Sequence, residues 1–304
     1  MALTVCRDIL PVLAIALPAA ALPVAQPAGR DATSFAKIIE KAGQYVQQFE
    51  RAFSVVIADE SYTQDVHVQG DRSAVRRMQS EVLFMWLPED RGWLSVRSVL
   101  IVDGRRVPDS AARLERILHD PLPDRESQLH RLAEESARLN LGTIRRNFNN
   151  PTLALQFLDS SYQSRFTFTI RAQDREQRVN GVLVQKVTFA EVQRPTVIRD
   201  GDADLLSSGA LWVRVSDGTI VRTTLTLTDR RTNTQASIAV DYRPDAKLDM
   251  WVPSRMEERY SSHVVEDHLG ALDGKVGRLH EITCIANYSR FRRFETSGRI
   301  VAPK

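Results

Sequence analysis

Cysteine is nearly absent: Cys6 and Cys284 are the two in 304 residues. If a leader containing Cys6 is removed, one thiol remains and no internal disulfide can form, which excludes a small disulfide-stapled scaffold. Stability must then come from a sizeable core, and 43% hydrophobic with 26% charged residues allows one. Lysine is scarce too, standing at positions 37, 41, 186, 247, 275 and 304, so the net charge of +3 rests on arginines interspersed with acids. No basic cluster exceeds Arg290, Arg292 and Arg293, which argues against a nucleic-acid partner, since such a partner needs a stripe of clustered cations. Glycine-rich phosphate loops, a G-x-S-x-G elbow and C-x-x-C pairs are all missing. No cofactor and no catalytic role are therefore expected.

A long apolar run occurs at one place, the N-terminus. Arg7 precedes Ile9-Leu10-Pro11-Val12-Leu13-Ala14-Ile15-Ala16-Leu17, and small residues follow. A charged start, a short apolar stretch and small residues at its end describe a secretory signal, here residues 1–28. Prolines 11, 18 and 23 interrupt any helix of the roughly 20 residues needed to cross hydrocarbon. Cleavage fits after Ala21 or after Ala25. No cysteine stands directly after the run, and Cys6 precedes it, which argues against a lipid anchor. The mature chain, with no transmembrane span, is expected in the periplasm or outside the cell.

Beyond the leader, Phe35, Ile38, Ile39, Ala42, Tyr45, Val46, Phe49 and Phe53 recur at steps of three and four. This spacing predicts an amphipathic helix over 34–53, capped by Thr33 or Ser34. The period then changes to two: Tyr62, Gln64, Val66 and Val68 alternate with polar residues, and Val82 to Leu87 form a continuous apolar run. Alternation leaves one strand face wet, whereas a continuous run means that both faces are covered. The helix over 34–53 is the nearest candidate for the second face. A strand over 92–102 ends at Asp103-Gly104, and two helices are predicted near 109–119 and 124–140, the second stopping near Gly142. From about 153 the pattern is nearly all strand, with Asn180-Gly181 and Asp217-Gly218 as tight hairpin signals.

No repeat or linker divides residues 29–304. The expected architecture is α+β: one strongly curved antiparallel sheet, an open half-barrel, with helices on its concave face and a helical insertion near 105–150. A boundary near 142–152 is the alternative.

Candidate chemistry is sparse. His263, Glu266 and His268 stand together, but two histidines five apart miss the spacing of H-E-x-x-H and lack a third defined ligand. No metal site is expected there. Glu257 and Glu258 are adjacent, so on a strand they point to opposite faces and read as surface charge. His280-Glu281 has the same geometry. Phe84, Trp86, Trp93, Phe166, Phe168 and Trp212 on strands, with Phe35, Ile39, Val46 and Phe49 on the helix, are the candidate lining of an apolar cavity, against a default of ordinary core packing.

Gly209-Ala-Leu-Trp-Val-Arg-Val-Ser-Asp-Gly218 with Val221-Arg-Thr-Thr-Leu-Thr-Leu, then Leu248-Asp-Met-Trp-Val-Pro-Ser-Arg-Met-Glu257 and Tyr288-Ser-Arg-Phe291, carry a resemblance. In that order they resemble uncharacterised secreted bacterial proteins grouped near the periplasmic lipoprotein-carrier (Lol-type) superfamily. The likeness covers most of 34–294. It implies an open half-barrel with a helical lid and an acyl chain or other lipid as ligand. The resulting expectation is an exported, non-catalytic protein of the cell envelope that binds an apolar ligand. The alternative is an envelope scaffold with a dry core and a protein partner.

Overall fold

The computed structural model describes residues 30–70, 73–87, 92–142, 144, 146, 150–171, 173–174, 176–179, 181–267 and 275–294. The leader, His268 and Asn180 lie outside the described residues. Helix α1 (Arg30–Ala52) opens the fold. It starts ahead of the predicted cap, so Thr33 and Ser34 lie within the helix. Strands β1 (Val56–Val68), β2 (Ala74–Leu87), β3 (Gly92–Val102) and the short β4 (Arg105–Arg106) follow as a meander. Helices α2 (Arg113–His119) and α3 (Leu122–Ala137) make the insertion. A 3-10 helix (Leu153–Leu158) and α4 (Ser160–Gln163) lie where the sequence reads as strand. A short apolar run such as Leu153-Ala-Leu-Gln-Phe-Leu158 carries no period that separates strand from helix.

The remaining strands are β5 (Phe166–Thr169), β6 (Gln177–Val179), β7 (Val182–Glu191), the small ribbon β8 (Arg199–Asp200) and β9 (Ala203–Asp204), then β10 (Leu206–Arg214), β11 (Ile220–Asp229), β12 (Thr234–Asp245), β13 (Met250–Asp267) and β14 (Lys275–Arg293). Twelve of them form one antiparallel sheet in the order β4-β3-β2-β1-β14-β13-β12-β11-β10-β7-β5, with β6 beside β7. The end strands do not meet, and the sheet is an open curved half-barrel. The Asp217-Gly218 hairpin joins β10 to β11, and Gly218 has the positive φ of 81° that such a turn demands. Asp103-Gly104 joins β3 to β4 in the same way, with φ of 48° and 80°.

The two faces of the sheet carry different cargo. On β1 the even positions Val56, Ala58, Glu60, Tyr62, Gln64 and Val66 are buried on the concave face, while Ser61, Asp65 and His67 are exposed. One large apolar cluster joins this face to α1 and the 3-10 helix, drawing on β1, β2, β3, β5, β7 and β10 to β14. A second, smaller cluster sits on the opposite face, where Ile57, Leu83 and Val96 pack against Leu114, Ile117 and Leu118 of α2 and Leu129 and Leu132 of α3. The run Val82 to Leu87 is therefore covered on both sides, as its pattern requires. The sequence reading placed every helix on the concave face. The structure keeps α1 there and puts α2 and α3 on the convex face, because Leu83 and its odd-numbered neighbours point that way.

Candidate functional site

The concave face is occupied in two halves of contrasting chemistry. Under the C-terminal half of α1 the filling is aromatic. Phe49 stacks on Phe53 at 4.8 Å between ring centroids, Phe53 meets Phe84 at 5.3 Å and Phe291 at 6.1 Å, and Trp93 stands 5.7 Å from Phe49 and 5.4 Å from Trp86. Helical spacing puts Phe49 and Phe53 on one stripe with Ile38, Ile39, Ala42 and Val46, the stripe read from the sequence. A second aromatic group, Phe157, Phe166 and Phe189, fills the β5–β7 end, with Phe168 at its border.

Polar tethers on α1 sit at its margins. Lys41 donates its ammonium to the carbonyls of Val215 and Ser216 at 3.3 and 2.9 Å in the β10–β11 turn. There Gly218 comes so close that an added Cβ would lie 2.3 Å from the Lys41 backbone. At the other end Arg293 donates to the carbonyl of Ala52 at 2.8 Å. Glu50 is an exception within the helix: it is 6% exposed, and its Oε1 is buried with no hydrogen-bond partner. Burial and then the nearby Asp159 carboxylate push its pKa up to about 8.

The other half of the concave face is built from hydrogen-bonded charge. After α3 the chain turns inward and lays Leu139 to Gly142, and then Arg146, over β1 and β14. Gly142 there is close-packed on Ile282 and Val66. Arg146 donates to Gln64 Oε1 at 2.6 Å, the Leu141 N–H donates to the same oxygen at 2.9 Å, and Arg76 donates to the Leu139 carbonyl at 2.8 Å. Deeper in, Glu258 is completely buried and accepts from the hydroxyls of Tyr62, at 3.1 Å, and Tyr260. Burial raises its carboxyl above the usual range, while the bond from Tyr260 and the Arg97 charge pull it back. Arg97 forms a two-pronged pair with buried Glu60 and lies 4.3 Å from the centre of the Tyr62 ring. Burial pushes the Cys284 thiol up to about 12, so it is an inert core group rather than a nucleophile.

Of the ten residues named as cavity lining, the structure brings Phe49, Phe84, Trp86 and Trp93 into the first aromatic group and Phe166 and Phe168 into the second. Ile39 and Val46 lie on the stripe between them, and Phe35 is packed at its edge. Trp212 does not belong with these. It sits on the convex face, with Lys186 at 5.7 Å and Arg222 at 5.6 Å from its ring centre, because β10 turns Leu211 and Val213 inward. Glu258 corrects the surface-charge reading in the other direction. Its partner Glu257 is the one that faces out, toward Arg259 at 2.6 Å. The signal lay in the strand phase: Glu258 shares parity with Met256 and Tyr260, as Glu60 and Gln64 do with Tyr62. His263 lies near Asn233, at 3.5 Å, and no group of three metal-ligating side chains occurs among the described residues.

No protein-family model and no curated protein sequence matches the chain. Solved structures do. The chain is similar to a putative outer membrane lipoprotein-sorting protein domain from Vibrio parahaemolyticus, at 12% identity over 86% of this chain and 94% of that one, with a TM-score of 0.32. It is similar to a DUF1329 family protein from Desulfovibrio piger, at 8% identity over 85% and 94%, TM-score 0.32. It is similar as well to a LolA superfamily protein from Nitrosomonas europaea, at 11% identity over 88% and 97%, TM-score 0.33.

Proposed function

We propose that this is an exported, non-catalytic binding protein of the bacterial cell envelope that holds a lipid or other apolar ligand between α1 and the concave face of the sheet. The observation that carries this reading is the contrast between the two halves of that face. The half under Arg146 is pinned by short, charge-assisted hydrogen bonds, which are costly to break once buried. The half under α1 is held by ring and aliphatic contacts, with polar tethers at the helix margins. An acyl chain offers those rings the same kind of surface that α1 does, at about 0.8 kcal/mol per buried methylene. In the conformation described, α1 is the occupant of its own ligand site, and ligand exchanges with it.

The test is binding of a fluorescent fatty acid, together with native mass spectrometry of protein recovered from membrane-containing cells. Bound lipid and a saturable fluorescence change are expected, and enrichment of α1 amide exchange in the presence of ligand should accompany them. Protein that is repeatedly empty and ignores the probe overturns the proposal.

A second reading is favoured by the packing of the same side chains: Val46 and Phe84 are 0% and Phe49 2% exposed. On that reading the core is permanently dry and the protein is an envelope scaffold. Reproducible cross-linking to one envelope protein, with α1 exchange insensitive to lipid, is what it expects.

A further inference from the structure

The sheet has a split seam. Strands β13 and β14 pair from Asp267↔Lys275 to Arg255↔Asn287 and no further. Beyond that point residues 250–253 pair with β12 alone, while Tyr288, Ser289, Arg292 and Arg293 pair with β1 alone. The cause is local. Pro253 has no N–H to give to β14, and the register of β12 with β13 slips between Asp241 and Tyr242, which turns this arm away. On the other lip, β14 carries its own bulge, where Arg290 adopts a φ of 50°.

A cleft of about 440 Å³ lies against the β14 lip and the tip of the β12–β13 hairpin, lined by Leu100, Glu81, Asp59, Arg290, Phe291, Arg292 and, on the hairpin, Lys247. That volume lies within the range of small-molecule sites, roughly 300–1,000 Å³. Three cations face two carboxylates. Arg292 is committed to Asp59 at 3.2 Å, to Glu81, and to Glu115 of α2 at 3.5 Å. Arg290 shares the same Asp59 but is 80% exposed. The Lys247 ammonium makes no ion pair among the described residues; its backbone N–H is the group bonded, to Asp245. The acids therefore orient the two guanidinium groups, and positive charge is left over at the Arg290–Lys247 end. Phe291 connects this cleft to the interior: it lines the cleft and also packs on Phe53 under α1.

We infer that this cleft is a headgroup site, taking the phosphoryl group of an anionic amphiphile between Lys247 and Arg290 while its tail passes Phe291 and takes the place of α1 against the aromatic side chains. Guanidinium forks and a point-charge ammonium are the side chains suited to phosphate oxygens. The inference deepens the carrier reading and rests on it.

The experiment compares the full chain's affinity for phosphatidylglycerol, for diacylglycerol with identical tails, and for free glycerol phosphate. Wild type is expected to bind phosphatidylglycerol about tenfold more tightly than diacylglycerol, a difference of ~1.4 kcal/mol. Lys247→Gln, on an exposed turn, and Lys247→Gln with Arg290→Asn, which keeps a residue tolerant of positive φ, should abolish that preference and leave diacylglycerol binding unchanged. Equal affinity for the two lipids, or an undiminished preference in the variants, overturns the headgroup site while leaving the carrier reading intact. Glycerol phosphate that competes as strongly as the whole lipid assigns the cleft to a free anion and overturns the amphiphile. If neither lipid binds, the carrier reading itself fails.

Discussion

Two glutamates of opposite standing show what burial does to a carboxyl group in this fold. Glu258 is satisfied on both oxygens by Tyr62 and Tyr260, so replacing it by Ala strands two buried hydroxyls and leaves a void. Such losses cost about 3 kcal/mol, and a urea titration of Glu258→Ala should show it, with Glu258→Gln losing less. Glu50 is the reverse case, buried on α1 with its Oε1 unbonded and with Asp159 nearby. Its carboxyl is held up at about 8 in the folded chain, against an ordinary 4.5. The folded state therefore binds the Glu50 proton more tightly than the unfolded state. Its contribution is fully present below about pH 4.5 and is lost as pH rises toward 8. Comparing the stability of wild type and Glu50→Gln across that window checks the sign: the variant should gain on wild type steadily with rising pH. A constant difference would show that ionisation of Glu50 is not coupled to folding.

At the scale of elements, α1 is a helix whose seat is defined by contacts far away in the chain, above all at Gly218. Gly218→Ala adds a Cβ that meets the Lys41 backbone at 2.3 Å, at a residue with positive φ. The expected cost is about 2 kcal/mol, accompanied by faster amide exchange in α1 than in β13. Slowed or unchanged α1 exchange would mean that the turn does not seat the helix. Most elements were legible from the residues because period and turn chemistry agreed: the stripe of α1, the alternation in β1, and the Asp-Gly hairpins. What was not legible has physical causes. The 3-10 helix over Leu153–Leu158 is buried almost throughout, so no wet side marks its period. The side of the sheet taken by α2 and α3 depends on which strand face Leu83 and Val96 present, a tertiary fact. Trp212 looked like lining because a tryptophan in a strand reads as core, whereas the cross-strand cations Lys186 and Arg222 give it a place outside. The split at Pro253 was present in the sequence as a strand proline, but its effect on β14 needed the register.

For the molecule as a whole, the half-barrel divides its interior into a charged half that is fixed and an aromatic half that is closed by α1, and the described cleft adjoins the aromatic half through Phe291. The pairing of β1 with β14 has a further consequence, for how the fold is reached. Register partners such as Tyr62 and Ala286 are separated by more than two hundred residues, and Phe53 at the end of α1 packs on Phe291. Neither the centre of the sheet nor the seat of its first helix can exist until the last strand has left the ribosome. Such distant pairings pay their loop-closure entropy before any contact returns it, which makes assembly slow. During synthesis the seam between β1 and β14 is therefore the last to close, whereas local hairpins such as β2–β3 and β11–β12 need no later part of the chain.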